Sequence, residues 1–86
     1  MKRAVVTVVG KDTVGIIAKV CTYMADNNIN ILDISQTTVQ EFFNMMMIVD
    51  VTNATVPFDT VSDQLAEIGI SKGVQVKCQL EESFDI

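Results

Sequence analysis

Two glycines separated by four residues frame the segment Gly10-Lys11-Asp12-Thr13-Val14-Gly15, which lies between an apolar run and an amphipathic one. This spacing opens a phosphate-binding loop, which continues with Lys for the β- and γ-phosphates and then Ser or Thr for magnesium. Ile16 and Ile17 stand at those positions, and an isoleucine cannot neutralise a phosphate. Metal transfer from such a corner needs Cys-x-x-Cys, but Cys21 sits alone a turn further on. Hydrolysis of an acyl phosphate needs a planar guanidinium, for which Lys11 is a poor substitute. The chain has no His, so nucleophile–base catalysis lacks its commonest base and the carboxylates have no obvious mates. The residues point to no enzyme, no cofactor and no metal.

The corner can still offer backbone. A helix starting near Gly15 presents unsatisfied N–H groups and a partial positive charge. Gly15, without a Cβ, lets a carboxylate approach those amides closely. Asp12 can accept hydrogen bonds from a ligand ammonium, or it can simply cap the helix; the residues leave both roles open. Asn30 carries an amide donor and acceptor at the start of a strand, expected to lie beside this first loop, or else to act as a turn residue closing Asn27-Asn28-Ile29.

The elements that must position this corner follow from hydrophobic spacing. Ala4 to Val9 is continuous and rich in β-branched residues, which predicts a central strand. Asp12 or Thr13 is expected to cap the helix that follows, with Ile17, Val20, Cys21 and Met24 on its apolar stripe. Asp26-Asn27-Asn28 ends that helix. A strand over Asn30 to Val39 and another over Phe43 to Val51, joined by Gln40-Glu41-Phe42, form an antiparallel hairpin. Pro57 suits the first turn of a second helix, whose stripe is Phe58, Val61, Leu65 and Ile68, with Gly69 as its C-terminal cap. Val74 to Leu80 alternates as a half-exposed edge strand. The order β-α-β-β-α-β predicts a ferredoxin-like α+β sandwich, a four-stranded antiparallel sheet in the order 4-1-3-2 with two helices on one face.

Composition narrows the partners. At 86 residues the chain is one domain, 1-86, with 49% hydrophobic residues and a net charge of −5. Basic residues cluster only at Lys2-Arg3, which argues against nucleic acid and against an anionic membrane as partners. RNA-binding sheets of this topology stack bases on aromatics of both central strands, and only Phe43 is so placed. Cys21 and Cys78 are too few for a disulfide framework and read as small hydrophobes. Gly10-Lys11-Asp12 interrupts the first apolar run too early for a signal peptide. A cytoplasmic protein is expected, in which the sequon Asn53-Ala54-Thr55 is a chance match.

The three segments Asp12-x-x-Gly15-Ile16-Ile17, Asn30-Ile31-Leu32-Asp33-Ile34-Ser35-Gln36 and Phe43-x-Met45-x-Met47-x-Val49-Asp50, taken together and in this order, resemble an ACT domain over essentially the whole chain. More narrowly, the chain is similar to small stand-alone ACT proteins resembling the N-terminal half of the glycine cleavage system transcriptional repressor. The resemblance implies a regulatory module that binds a free amino acid as effector and works as a homodimer or higher homo-oligomer on a protein partner the sequence does not name. It implies a ligand held between the first loop of one subunit and the second strand of a neighbour. The loop contribution falls on Asp12, Thr13, Val14, Gly15 and Ile16, and the strand contribution on Asn30, Ile31 and Leu32. Val14 stands where the family often has Pro. The other function class is a ligand-free dimerisation or protein-interaction module.

Met45, Met46 and Met47 suggest a soft-metal site, but successive strand residues point to opposite faces, so only two share a side. They are expected to be core filler. Phe43, Met45, Met47, Val49 and Val51 should meet the helices. Asn44, Met46, Ile48 and Asp50 then lie on an uncovered, half-apolar face, which a second subunit would hide. The second strand, at a sheet edge, offers the other dimerisation surface.

Overall fold

The β-branched run that precedes Gly10 forms the middle of a sheet. The computed structural model describes residues 1–11 and 14–83. Along the chain these are β1 (Arg3–Lys11), α1 (Ile16–Asp26), β2 (Asn30–Val39), β3 (Phe42–Asp50), α2 (Phe58–Lys72) and β4 (Gln75–Leu80), followed by a single 3-10 turn at Glu81–Ser83. The strands form one sheet in the order β2-β3-β1-β4 with antiparallel neighbours, the α+β ferredoxin-like topology that the periodicity predicts. Among the described residues no helix is long and apolar enough to cross a membrane.

Alternation decides which face is covered. Ala4, Val6 and Val8 on β1 and Phe43, Met45, Met47 and Val49 on β3 are all buried. They pack against Ile16, Val20 and Met24 of α1 and Val61 and Leu65 of α2 to make the core. Burial of such side chains, about 1.5–3 kcal/mol each, is what holds the two layers together. The expected stripe of α1 is rotated slightly: Ile16 is buried, while Ile17 and Cys21 are half-buried at the margin of the core.

Element ends differ from the sequence expectations in instructive ways. Strand β1 extends through Gly10 to Lys11, because β3 supplies partners as far as Phe42. Phe42 belongs to β3, so the hairpin connection is Gln40-Glu41 alone, with Gln40 in the left-handed conformation at φ 56°. A two-residue loop of that kind matches the twist of its strands. Pro57 sits one residue before α2, in the N-cap position, rather than in its first turn. Gly69 is not the C-terminal cap: α2 runs on to Lys72, and Gly73 takes the left-handed cap conformation at φ 72°. Gly69 is instead buried where α2 crosses β4, and a Cβ there would lie 2.7 Å from the carbonyl oxygen of Val74. Strand β4 begins at Gln75, one residue later than expected.

The turn after α1 is tied to the loop before α2. Asn27 holds the C-cap and Asn28 takes φ 58°. The Thr55 N–H donates to the Asn27 carbonyl at 3.0 Å and the Asn28 amide donates to the Asn53 carbonyl at 3.1 Å. Tyr23 donates its hydroxyl to Gln64 at 2.6 Å, joining the two helices, and partial burial of the ring raises its pKa.

Candidate functional site

The corner between β1 and α1 is built by a backbone reversal at Gly15. Its φ of 87° lies in the left-handed region, which a residue without a Cβ occupies at no steric cost. The Gly15 carbonyl accepts the first helical hydrogen bond, from the Lys19 N–H at 2.9 Å. Gly15 holds the N-cap position and has no side chain to cap the helix. Asp12 and Thr13, the expected caps and two of the expected ligand residues, lie outside the described residues. No acidic side chain occupies the first turn of α1. The amides of the first helical turn have no partner within a helix and carry a partial positive charge.

Two neighbours complete the corner. Val14 is 95% exposed at the tip, so its side chain is presented to whatever approaches. Ile16 is buried in the core, so of this expected ligand residue the backbone N–H, not the side chain, is what the corner can offer. Sequence reasoning missed Lys72. It lies in the last turn of α2, and its ammonium nitrogen is 3.7 Å from where a Cβ on Gly15 would be. A helix N-terminus and a lysine thus face the same space beside a residue without a side chain. That arrangement suits a carboxylate. Nothing in the sequence brings residues 15 and 72 together; only the packing of α2 beside α1 does.

The strand half of the expected site lies elsewhere. Asn30 pairs with Asp50, which pairs in turn with Arg3. It is therefore level with the start of β1, whereas the corner follows the end of β1. The separation is at least the length of the eleven-residue α1, about 16 Å. The expectation that Asn30 lies beside the first loop fails within one chain, because β1 and β2 run in the same direction on either side of β3. Ile31 is half-buried against the core. Leu32 is the extra residue of a β-bulge between Ile31 and Asp33 and is exposed at the sheet edge. A single ligand can touch Gly15 and Asn30 together only if they belong to different copies.

Other chemistry is sparse among the described residues. No group of three or more His, Cys, Asp or Glu is arranged to hold a metal. Met45 and Met47 are core, and Met46 faces the opposite way. Burial pushes the Cys78 thiol up to about 11, which leaves it inert at neutral pH. A concave surface of about 690 Å³ runs along Ile70 and β4, and another of about 300 Å³ adjoins the exposed Arg3–Glu81 ion pair.

This sheet, its helices and its glycine corner define a small regulatory fold. The ACT domain family model matches residues 2–79, and the chain belongs to that family of regulatory ligand-binding modules. Among its relatives, a UPF0237 protein of Bifidobacterium longum is 54% identical over 84 residues, covering 98% of this chain and 93% of the relative. The solved ACT domain protein from Streptococcus pneumoniae superposes with a TM-score of 0.82 at 34% identity, covering 99% of this chain and 96% of that one. A structure described as a glycine cleavage system transcriptional repressor superposes with a TM-score of 0.77 at 21% identity over 99% of this chain and 48% of that one. At that identity the last likeness concerns the fold alone.

Proposed function

We propose that this protein is a non-catalytic, cytoplasmic regulatory module that binds a free amino acid and acts by self-association on a protein partner. The observation that carries the proposal is the convergence of the α1 N-terminus, Gly15 and the Lys72 ammonium on one space. The ligand carboxylate takes that space. Asp12 and Thr13 border it in sequence, and Asp12 is the acceptor proposed for the ligand ammonium. Asn30, Ile31 and Leu32 act from a neighbouring copy, which is the only way the two halves can meet. Two free cysteines fit a reducing compartment.

The test is a thermal-shift panel of free amino acids, each at about 10 mM. A ligand with a Kd of about 100 μM stabilises by about 2.7 kcal/mol, which is several degrees for a domain of this size. One amino acid should stand out, and Gly15→Asn should abolish its effect. Asn is among the side chains that best tolerate the left-handed conformation, and among the described residues a Cβ at Gly15 comes within 4 Å only of the flexible end of Lys72; circular dichroism checks that the variant is folded. A flat panel would favour the ligand-free interaction module.

A further inference from the structure

A carboxylate and an ammonium are common to all amino acids, so selection among them falls to whatever meets the side chain. That side chain leaves the carbon bonded to the carboxylate. A carboxylate held beside Gly15 therefore sets it near Val14, whose Cα is about 3.8 Å from that of Gly15. Val14 is 95% exposed. On the strand segment Leu32 is 40% exposed, and Ile34 just beyond it is 45% exposed. Ile31 pairs with the buried Val49 on the helix-covered face, and Asp33 pairs with Ile48 on the open one. The bulge takes Leu32 out of that alternation, and a bulge is a device that re-aims a side chain. The Asp33 carboxylate accepts from the Ile34 N–H at 2.9 Å, which fixes the backbone just past the bulge. Edge strands are commonly guarded by charge; here the re-aimed position is aliphatic. Taken singly, an exposed aliphatic residue is ordinary. Val14 and Leu32, however, stand on the two segments that the proposed function brings together.

We propose that the effector is an amino acid with a branched aliphatic side chain, and that Val14 of one copy and Leu32 of its neighbour select it. The inference rests on the proposed function and its composite site, and it adds the class of ligand. Charge argues in the same direction. Among the described residues, nothing but the Lys72 ammonium lies within 4 Å of a Cβ on Gly15, and the carboxylate common to all amino acids uses it. An acidic side chain needs a second cation, which Asn30, Ile31 and Leu32 do not supply. A basic or hydroxyl side chain laid between Val14 and Leu32 gives up water without gaining a partner there. A branched aliphatic side chain gains by leaving water and covers both exposed residues as it does so. Asn30, the polar member of the strand segment, then serves the polar end of the ligand.

Isothermal titration of the whole chain with valine, leucine, isoleucine, alanine, serine, aspartate and lysine tests it. One of the three branched amino acids should bind most tightly, and alanine about a hundredfold more weakly, since each buried methylene is worth about tenfold or more. Serine, aspartate and lysine should bind no better than alanine. Val14→Ala and Leu32→Ala should each lower the ratio of branched-chain to alanine affinity by about tenfold. Circular dichroism confirms that each variant is folded. That ratio separates a contact to the ligand side chain from a contact between copies. Were Leu32 only an interface residue, its loss would weaken all the amino acids together and leave the ratio unchanged. An unchanged ratio in both variants, or tightest binding of serine, aspartate or lysine, would overturn the selection while leaving amino-acid binding intact. No binding of any amino acid would overturn the proposed function and this inference with it.

Discussion

Thr52 grips the carboxylate of Asp50 with two groups at once. Its backbone N–H donates at 2.9 Å and its hydroxyl donates to the same oxygen, while that hydroxyl accepts from the Lys2 N–H at 2.7 Å. The side-chain bond, then the backbone bond, hold the Asp50 carboxyl below the usual range. A carboxyl whose folded pKa is depressed contributes stability that is complete above its unfolded value, about 3.9, and that is lost as pH falls through the folded value. Thr52→Val should therefore destabilise the protein at pH 7, and the gap to wild type should narrow as pH falls from about 4 toward 2. Urea unfolding at a series of pH values reads this directly. A gap constant with pH would mean that only the contact to Lys2 matters. Cys78 is a second residue whose state is set by its surroundings: with its pKa at about 11 it should resist iodoacetamide at pH 8, while the less buried Cys21 is alkylated.

At the scale of elements, α2 and β4 are fitted to each other through Gly69. Replacing a mid-helix glycine by alanine ordinarily stabilises by about 1 kcal/mol. Here the added Cβ would lie 2.7 Å from the Val74 carbonyl oxygen and 3.0 Å from the Val76 nitrogen, both backbone atoms. Overpacking costs about 1–3 kcal/mol, so the clash outweighs the propensity gain. Gly69→Ala should lower the urea midpoint; a rise would show that α2 can slide away from β4 cheaply. This position also shows why the sequence misled. A glycine at the end of an apolar stripe signals a cap, and only the crossing with β4 reveals that it is a contact. By contrast, Phe43 to Val51 was legible because strict alternation leaves a single way to bury one side. The corner was legible as to Gly15, whose freedom is local. Lys72 was not, since its place depends on how two helices pack, and Asn30 was misplaced by overlooking that a β-α-β unit returns the chain to the end where it began.

For the whole molecule, that return has a functional consequence. One chain carries the carboxylate corner after the end of β1 and the Asn30 segment level with its start, so on the proposed function neither half binds without a neighbour. Two-fold symmetry then gives every dimer two composite sites, each with a corner from one copy and a strand from the other. Gly15→Asn destroys corners and Asn30→Ala destroys strands, and each variant alone should lose the amino-acid response completely. Mixing them in equal amounts regenerates function in a countable way. Half of the dimers are mixed, and each mixed dimer pairs one intact corner with one intact strand and one defective corner with one defective strand. About a quarter of the wild-type sites should return. Isothermal titration of the pure variants and of the mixture, after re-equilibration, measures that fraction. Recovery near a quarter requires the ligand to bridge two copies. No recovery, with Asn30→Ala as active alone as wild type, would put the whole site at the corner of a single chain. The amino acid would then have no means of favouring the assembled state, because binding drives association only where the assembled form holds the ligand more tightly.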